Sequence, residues 1–170
     1  MLSKTMVDKL NAQINLEYFS SNIYLQMSAW CAYKGLEGCA DFLRKQADEE
    51  MMHMHKLFDY VNETGAMAVV GQIDAPPVDF KSIKELFTKT YEHECLVTKR
   101  INEMVAVAMK EPDYATFNFL QWYVAEQHEE ETVFKGILDK IELIGVEGRG
   151  VYLFDKYIGK LAAQNVEPVE

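Results

Sequence analysis

The feature that most constrains the fold is a series of long segments in which apolar residues recur every three or four positions. The first, from about Ser3 to Lys34, contains neither glycine nor proline, and Gly35 ends it. This spacing places apolar side chains on one face of an α-helix, and glycine is a common helix terminator. Asp113 is a suitable N-cap for the fourth segment. The sequence therefore predicts helices at about 3–34, 39–64, 81–110 and 113–145, and a shorter one at about 150–163.

The connection between the second and third helices indicates how the helices are arranged. Residues 66–80 contain Gly71, Pro76 and Pro77, show no helical period and are too many for a simple helix hairpin. Two short loops and one long crossover predict an all-α four-helix bundle at about 3–145, in a single domain of residues 1–170. The fifth helix is too short to join the bundle along its length. Its apolar face is therefore expected to be buried against another subunit; this face consists of Val151, Phe154, Ile158 and Leu161.

Charge and composition exclude several classes of partner. The net charge of -10 argues against nucleic acid and anionic membranes as partners. No apolar run approaches the roughly 20 residues that span a bilayer, and the first residues lack the apolar region of a signal peptide. The three cysteines, an odd number without metal-type spacing, are typical of free thiols in a reducing compartment. We therefore expect a cytoplasmic protein.

Acidic residues interrupt the apolar face of each long helix near its midpoint. The interruptions are Glu17, Glu50, Glu94 and, on the fourth helix, Gln127 and Glu130. In an up-and-down bundle the helix midpoints share one layer, so these side chains should converge. His53 lies one helical turn from Glu50 and projects from the same side.

Several ionised carboxylates in one buried layer are very unfavourable unless another charge compensates them. No lysine or arginine lies on these faces near mid-height, so we expect one or two bound metal ions. Carboxylate and imidazole together suit iron, manganese or zinc. The alternative is that each face is misassigned by one residue and the glutamates face water, as an isolated Glu-x-x-His motif usually does.

The arrangement of these residues resembles the ferroxidase centre of ferritins. The matching pattern is Glu17, Tyr24, Glu49-Glu50-x-x-His53, Glu94 and Glu126-Gln127-x-x-Glu130, and the stretches 117–123 and 126–130 look like those of bacterial non-haem ferritins. The resemblance covers essentially the whole chain and implies a ferritin-like bundle. It also implies a hollow homo-oligomer of twenty-four subunits that takes up Fe(II), oxidises it with dioxygen or peroxide and stores a ferric mineral.

The resemblance implies a ligand set for each iron. One iron would be bound by Glu17, Glu50 and His53. The second would share Glu50 as a bridge and take Glu94 and Glu130, with Gln127 beside it. A third, more weakly held iron would lie near Glu49, Glu126, Glu129 and Glu130. Tyr24 is two turns from Glu17 on the same helix face, where it would hydrogen-bond a ligand, donate an electron or simply pack as a core aromatic residue.

Differences between this sequence and the bacterioferritins help to distinguish its function from those of related families. A bacterioferritin would carry a second Glu-x-x-His on the fourth helix, where this chain has Gln127 and Glu130. Its absence argues for iron that passes through the site rather than a fixed di-iron cofactor. Met51 and Met52 are more typical of packing than of haem ligation, so no haem is expected. The remaining histidines, His55, His93 and His128, are expected at the surface or supporting the site.

Two alternatives to a ferroxidase remain open, namely a catalytically silent cage subunit and a haem-containing bacterioferritin-like protein. A silent subunit would have lost some of the principal ligands. Because Glu17, Glu50, His53 and Glu94 are all present, the sequence favours an iron-storage protein with ferroxidase activity.

Overall fold

The computed structural model describes residues 2–164, which form five α-helices and no strand. The helices are α1 (Lys4–Tyr33), α2 (Glu37–Glu63), α3 (Ile83–Lys110), α4 (Tyr114–Ile144) and α5 (Arg149–Gln164). The predicted all-α class and each predicted helix are confirmed, with boundaries within two residues. The ends of the predicted domain, at residues 1 and 170, lie outside the described part of the chain.

Side-chain caps fix the starts of the long helices. Asp113, the predicted N-cap of α4, accepts a hydrogen bond from the backbone N–H of Thr116 at 3.1 Å. Ser3 and Ser82 cap α1 and α3 in the same way. The residue at the α2 N-terminus offers no side-chain cap.

The long connection between α2 and α3 lies along α1 and is attached to it by two asparagines. The Asn11 Oδ1 atom accepts from the backbone N–H of Val69 at 2.9 Å. The Asn15 side chain donates to the Val69 carbonyl and accepts from the Gly71 N–H. Because these side chains satisfy the backbone of an extended segment, the predicted crossover has a defined path.

The helices pack as two hairpins, with α1 along α2 and α3 along α4, and α1 also contacts α3. Two apolar clusters fill the interior. One, towards α5, includes Leu43, Phe87 and Phe134, and the other, towards the opposite end, includes Leu10 and Leu57. Glu17, Glu50, Glu94, Gln127 and Glu130 lie at helix positions between these clusters. The midpoints of the four helices therefore form one polar layer between two apolar ones.

The prediction that α5 buries its apolar face against another subunit is wrong. Phe154 and Ile158 are fully buried within the same chain, where α5 packs on α2 and α4. A short helix need not lie along the bundle, because it can cover one end of it. The remaining apolar residues of the face, Val151 and Leu161, are partly buried.

Two close contacts hold α5 in place. A Cβ atom added to Gly38 would collide with the carbonyl oxygen of Asp155, so only glycine allows this approach. The Asp155 carboxylate accepts from the backbone N–H of Cys39 at 2.8 Å, which gives α2 the N-terminal acceptor that its own sequence lacks. Among the described helices, none is both long and apolar enough to cross a lipid bilayer.

Candidate metal centre

Each long helix contributes a buried polar side chain to the middle layer. Glu17 of α1, Glu50 of α2, Glu94 of α3 and Glu130 of α4 expose between 0 and 6% of their surface. No lysine or arginine is buried among the described residues. The layer thus holds four carboxyl groups and no permanent positive charge.

Glu17, Glu50 and His53 form a compact group of potential metal ligands. One ligand atom from each lies within 4.8 Å of the other two, and His53 Nδ1 is 3.5 Å from Glu50 Oε2. The Oε2 atoms of Glu17 and Glu50 are buried and have no hydrogen-bond partner outside this pair of carboxyl groups, which interact with each other. Because a buried oxygen without a partner is unfavourable, the group fits a cation that would bind these two oxygens.

Glu94 lies in a second hydrogen-bonded group of the same layer. The Tyr24 hydroxyl donates to Glu94 Oε1, and Gln127 Nε2 donates to Glu94 Oε2 at 2.9 Å. Glu130 is buried on the same helix as Gln127. The side chains expected around the second iron are therefore inside the bundle, with both carboxylate oxygens of Glu94 already hydrogen-bonded.

The carboxyl groups of the layer hold their protons tightly. Burial, followed by repulsion from neighbouring carboxylates, raises the pKa of Glu50 and of Glu130 well above the usual range. Burial also raises the pKa of Glu94 to about 8 and lowers that of His53 to about 4. Neutral His53 offers a lone pair to a metal, and a divalent cation would reverse the shifts of the carboxyl groups by replacing their protons.

The residues expected at a third iron lie at the edge of the layer. Glu49 and Glu126 are partly buried and Glu129 is exposed. Glu126 Oε1 is 3.9 Å from His53 Nε2. Burial raises the pKa of both Glu49 and Glu126, and the Glu129 charge raises each further. These three carboxyl groups therefore interact electrostatically, in a more solvated setting than the central layer.

Sequence reasoning missed several supporting residues. Gln13 Nε2 donates to Glu17 Oε1 at 2.7 Å, and Gln46 donates to Glu49. Both glutamines lie three or four positions before the carboxylate on the same helix, a spacing that could have identified them. The Tyr123 hydroxyl, which donates to the His53 backbone carbonyl at 2.7 Å, gave no comparable signal.

The other predicted candidates divide between support and surface. His93 is partly buried, with its Nε2 atom 2.7 Å from Ser20 Oγ, whereas His55 and His128 are exposed. The structure brings none of these three into the ligand group. Met51 is partly buried and Met52 is exposed.

Comparisons with known proteins agree on one family. The ferritin-like domain family, Ferritin, matches residues 7–144. The chain is 56% identical to a protein of Haemophilus influenzae named as a probable bacterial non-heme ferritin-like protein, over 96% of this chain and 99% of that one. It is 52% identical to the bacterial non-heme ferritin of Escherichia coli, over 97% and 100% of the two chains.

Solved structures give the same result. The open pore ferritin of Archaeoglobus fulgidus superposes with a TM-score of 0.90 at 44% identity and covers 94% of this chain and 98% of its own. The ferritin of Chlorobium tepidum superposes with a TM-score of 0.84 at 50% identity, with the same coverage. Together with the four-helix architecture and its buried carboxylate layer, these matches show that the chain belongs to the ferritin family, among the bacterial non-haem ferritins.

Proposed function

We propose that this protein stores iron and is a ferroxidase, which binds Fe(II) inside each subunit and oxidises it to Fe(III). The observation that carries the proposal is the pair of buried oxygens on Glu17 and Glu50, which no group outside the pair satisfies, beside neutral His53. Carboxylate oxygens are hard ligands that favour ferric over ferrous iron. A site with one imidazole and several carboxylates therefore promotes oxidation and retains the product less tightly than a site with more histidine.

The ligand sets of the proposed di-iron centre follow from the family resemblance. Glu17, Glu50 and His53 bind the first iron. Glu50 bridges to the second, which Glu94 and Glu130 complete, with Gln127 beside it. The burial of all these side chains supports the assignment.

The third, weaker position is assigned to the edge of the layer, between α2 and α4. Its ligands are Glu49, Glu126 and Glu129, with Glu130 shared between this position and the second iron. Greater solvation of these groups and their mutual repulsion support weaker binding than in the central layer.

The proposed chemistry is a paired one-electron oxidation. Two Fe(II) ions give one electron each to one dioxygen molecule, which takes up two protons and leaves as hydrogen peroxide. Peroxide can act in place of dioxygen, since it accepts two electrons and two protons and becomes two water molecules. The Fe(III) products hydrolyse, release protons and form ferric oxyhydroxide.

Tyr24 is assigned a supporting role in this reaction. Its hydroxyl is fully buried and donates to Glu94, and burial raises its pKa well above the usual range. The phenol therefore stays protonated and orients a carboxylate of the second iron. A role as an electron donor would require the phenol to lose a proton as well, for which Glu94 is the adjacent acceptor.

The mineral is proposed to form inside a shell of twenty-four subunits, as the family resemblance implies. Large apolar side chains remain exposed on the isolated subunit, which supports assembly; they include Leu25, Tyr33, Met67, Val70, Val78 and Leu143. Sedimentation should show a particle of about the mass of twenty-four chains. A monodisperse monomer or dimer at micromolar concentration would contradict the shell.

Compartment and haem content are separate parts of the proposal. The free thiols of Cys31, Cys39 and Cys95 suit a reducing cytoplasm. We expect no haem, and the visible spectrum of the purified protein tests this through the Soret band.

Anaerobic loading followed by oxygen tests the ferroxidase function. Iron-free protein is loaded with two Fe(II) per subunit and mixed rapidly with aerated buffer. A transient absorbance from a diferric species is expected before mineral forms. A catalytically silent cage subunit would bind iron without this phase, and the rate would then match that of Fe(II) in buffer alone.

A further inference from the structure

A cavity of about 230 Å³ opens between α1 and α3, and one residue of its wall, Gln13, contacts a ligand of the proposed first iron. Gln13 forms part of its wall and donates from Nε2 to Glu17 Oε1 at 2.7 Å. We propose that this cavity, called the α1–α3 cavity below, is the passage by which dioxygen reaches the di-iron centre. The inference rests on the proposed ferroxidase function and adds the route of its gaseous substrate.

The lining favours a small apolar guest. Ala12, Leu16, Leu96 and Met104 contribute to the wall from both helices. Dioxygen has no charge and forms only weak hydrogen bonds, so it enters apolar space more readily than water does. These four residues, half of the lining, form a surface that is suited to gas.

The charges at the cavity argue against the other substrate, Fe(II). Lys9 Nζ is 3.1 Å and Arg100 Nη1 is 3.6 Å from the same carboxylate oxygen of Glu103. Two cations and one carboxylate leave a net positive charge in the lining, which repels a divalent cation and leaves neutral dioxygen unaffected. The charge of this lining therefore favours dioxygen over Fe(II) as the guest of the cavity.

Within residues 2–164, Gln13 is the one side chain of this wall that also hydrogen-bonds a proposed iron ligand. It is 2% exposed, and its amide forms the partition between the cavity wall and Glu17. A glutamine side chain is flexible about three bonds, and a neutral amide can move without separating charges. This partition admits a small neutral molecule while excluding bulk water.

A second cavity, between α3 and α4, is a less suitable gas route because polar residues form a larger share of its wall, in which Ile101 and Val124 are the apolar members. Its lining includes Thr98, Asn102 and Gln127, and the Thr98 hydroxyl is buried without a hydrogen-bond partner. Such a wall suits water. The α3–α4 cavity therefore provides the matched comparison in the experiments that follow.

The first experiment detects gas in the cavity without relying on catalysis. Crystals of the iron-free protein are pressurised with xenon, and its positions are found by anomalous scattering. Xenon is expected in the α1–α3 cavity, and an empty cavity would overturn the proposal. Xenon bound in a protein that fails to oxidise iron would contradict the ferroxidase function alone, so the two failures are distinguishable.

The second experiment blocks each cavity from its exposed wall. Ala12→Phe and, from the opposite helix, Leu96→Phe fill the α1–α3 cavity, while Asn102→Phe fills the α3–α4 cavity. Each variant is assembled, loaded anaerobically with Fe(II) and mixed with buffers of increasing dioxygen concentration. The slope of rate against dioxygen isolates the oxidant step, and a titration measures Fe(II) binding.

We expect Ala12→Phe and Leu96→Phe to lower the slope by about fivefold or more, with unchanged Fe(II) stoichiometry, and Asn102→Phe to lower it by less than about twofold. Slopes equal to that of the parent protein in both α1–α3 variants would overturn the proposal. So would a larger effect of Asn102→Phe, or a loss of Fe(II) binding that accounts for the slower rate.

Discussion

Replacement of Glu94 by glutamine should stabilise the metal-free protein near neutral pH and weaken its binding of metal. Glu94 is fully buried, and burial raises its pKa to about 8 from the ordinary 4.5. The folded state therefore holds this proton over a pH range in which the unfolded chain releases it. The contribution of this protonated group to the free energy of unfolding is fully present below pH 4.5 and is lost as the pH rises towards 8.

The expected gain follows from this pH interval. Each pH unit between the unfolded pKa and the working pH is worth about 1.4 kcal/mol, so folding with Glu94 costs about 3 kcal/mol at pH 7. A glutamine carries no such penalty, but its amide cannot accept from both Tyr24 and Gln127, a loss of about 1 kcal/mol. The net gain of about 2 kcal/mol corresponds to a rise in Tm of about 4–8 °C for a chain of this size.

Thermal unfolding followed by circular dichroism tests this at pH 4 and pH 7, on chelator-treated protein at one concentration and scan rate. Glu92→Gln, an exposed residue of the same helix, is the matched control and should change stability by less than about 0.5 kcal/mol. Added Zn²⁺ should raise the Tm of the parent protein more than that of Glu94→Gln. An equal gain at both pH values, or no gain at pH 7, would refute the electrostatic argument.

Five further variants, at four residues, address individual metal positions. Glu50→Ala should abolish rapid Fe(II) oxidation more completely than Glu17→Ala, because Glu50 is proposed to bind both irons; equal residual rates in stopped-flow would contradict the bridge. Glu130→Ala should leave one strongly bound iron per subunit, whereas Glu130→His should hold the second iron longer. Anomalous scattering from crystals soaked in Fe(II) counts the occupied positions, and a fully occupied second position in Glu130→Ala would contradict the assignment of Glu130. Gln13→Leu removes a hydrogen bond that lowers the pKa of Glu17, so Fe(II) binding at the first position should move to higher pH, and an unchanged titration midpoint would count against this.

The fold could be predicted because each long helix carries its own signals. Apolar periodicity, the glycine that ends α1 and the Asp113 cap are all local features. The position of α5 was mispredicted because it depends on contacts between residues far apart in the chain. Nothing near Phe154 indicates that Gly38 leaves room for the α5 backbone, or that Asp155 accepts from the start of α2.

The polar layer could be anticipated because helix midpoints meet wherever helices of similar length pack side by side. The residues that orient the carboxylates were harder to identify. Gln13 precedes Glu17 by one helical turn and could have been found by spacing alone. Tyr123 acts on a backbone carbonyl of another helix, and such a contact depends on helix rotation and axial shift, which periodicity does not specify.

The choice of glutamine as the partner of these carboxylates explains how the site stays available to a metal. An amide orients a carboxylate oxygen without cancelling its charge, whereas a buried lysine or arginine would neutralise the site and compete with an incoming cation. In the metal-free layer, the pKa values of Glu50 and Glu94 therefore remain raised. Fe(II) binds to these carboxyl groups by displacing their protons. Iron then binds reversibly, as a storage protein requires. Three pairs share this arrangement, namely Gln13–Glu17, Gln46–Glu49 and Gln127–Glu94.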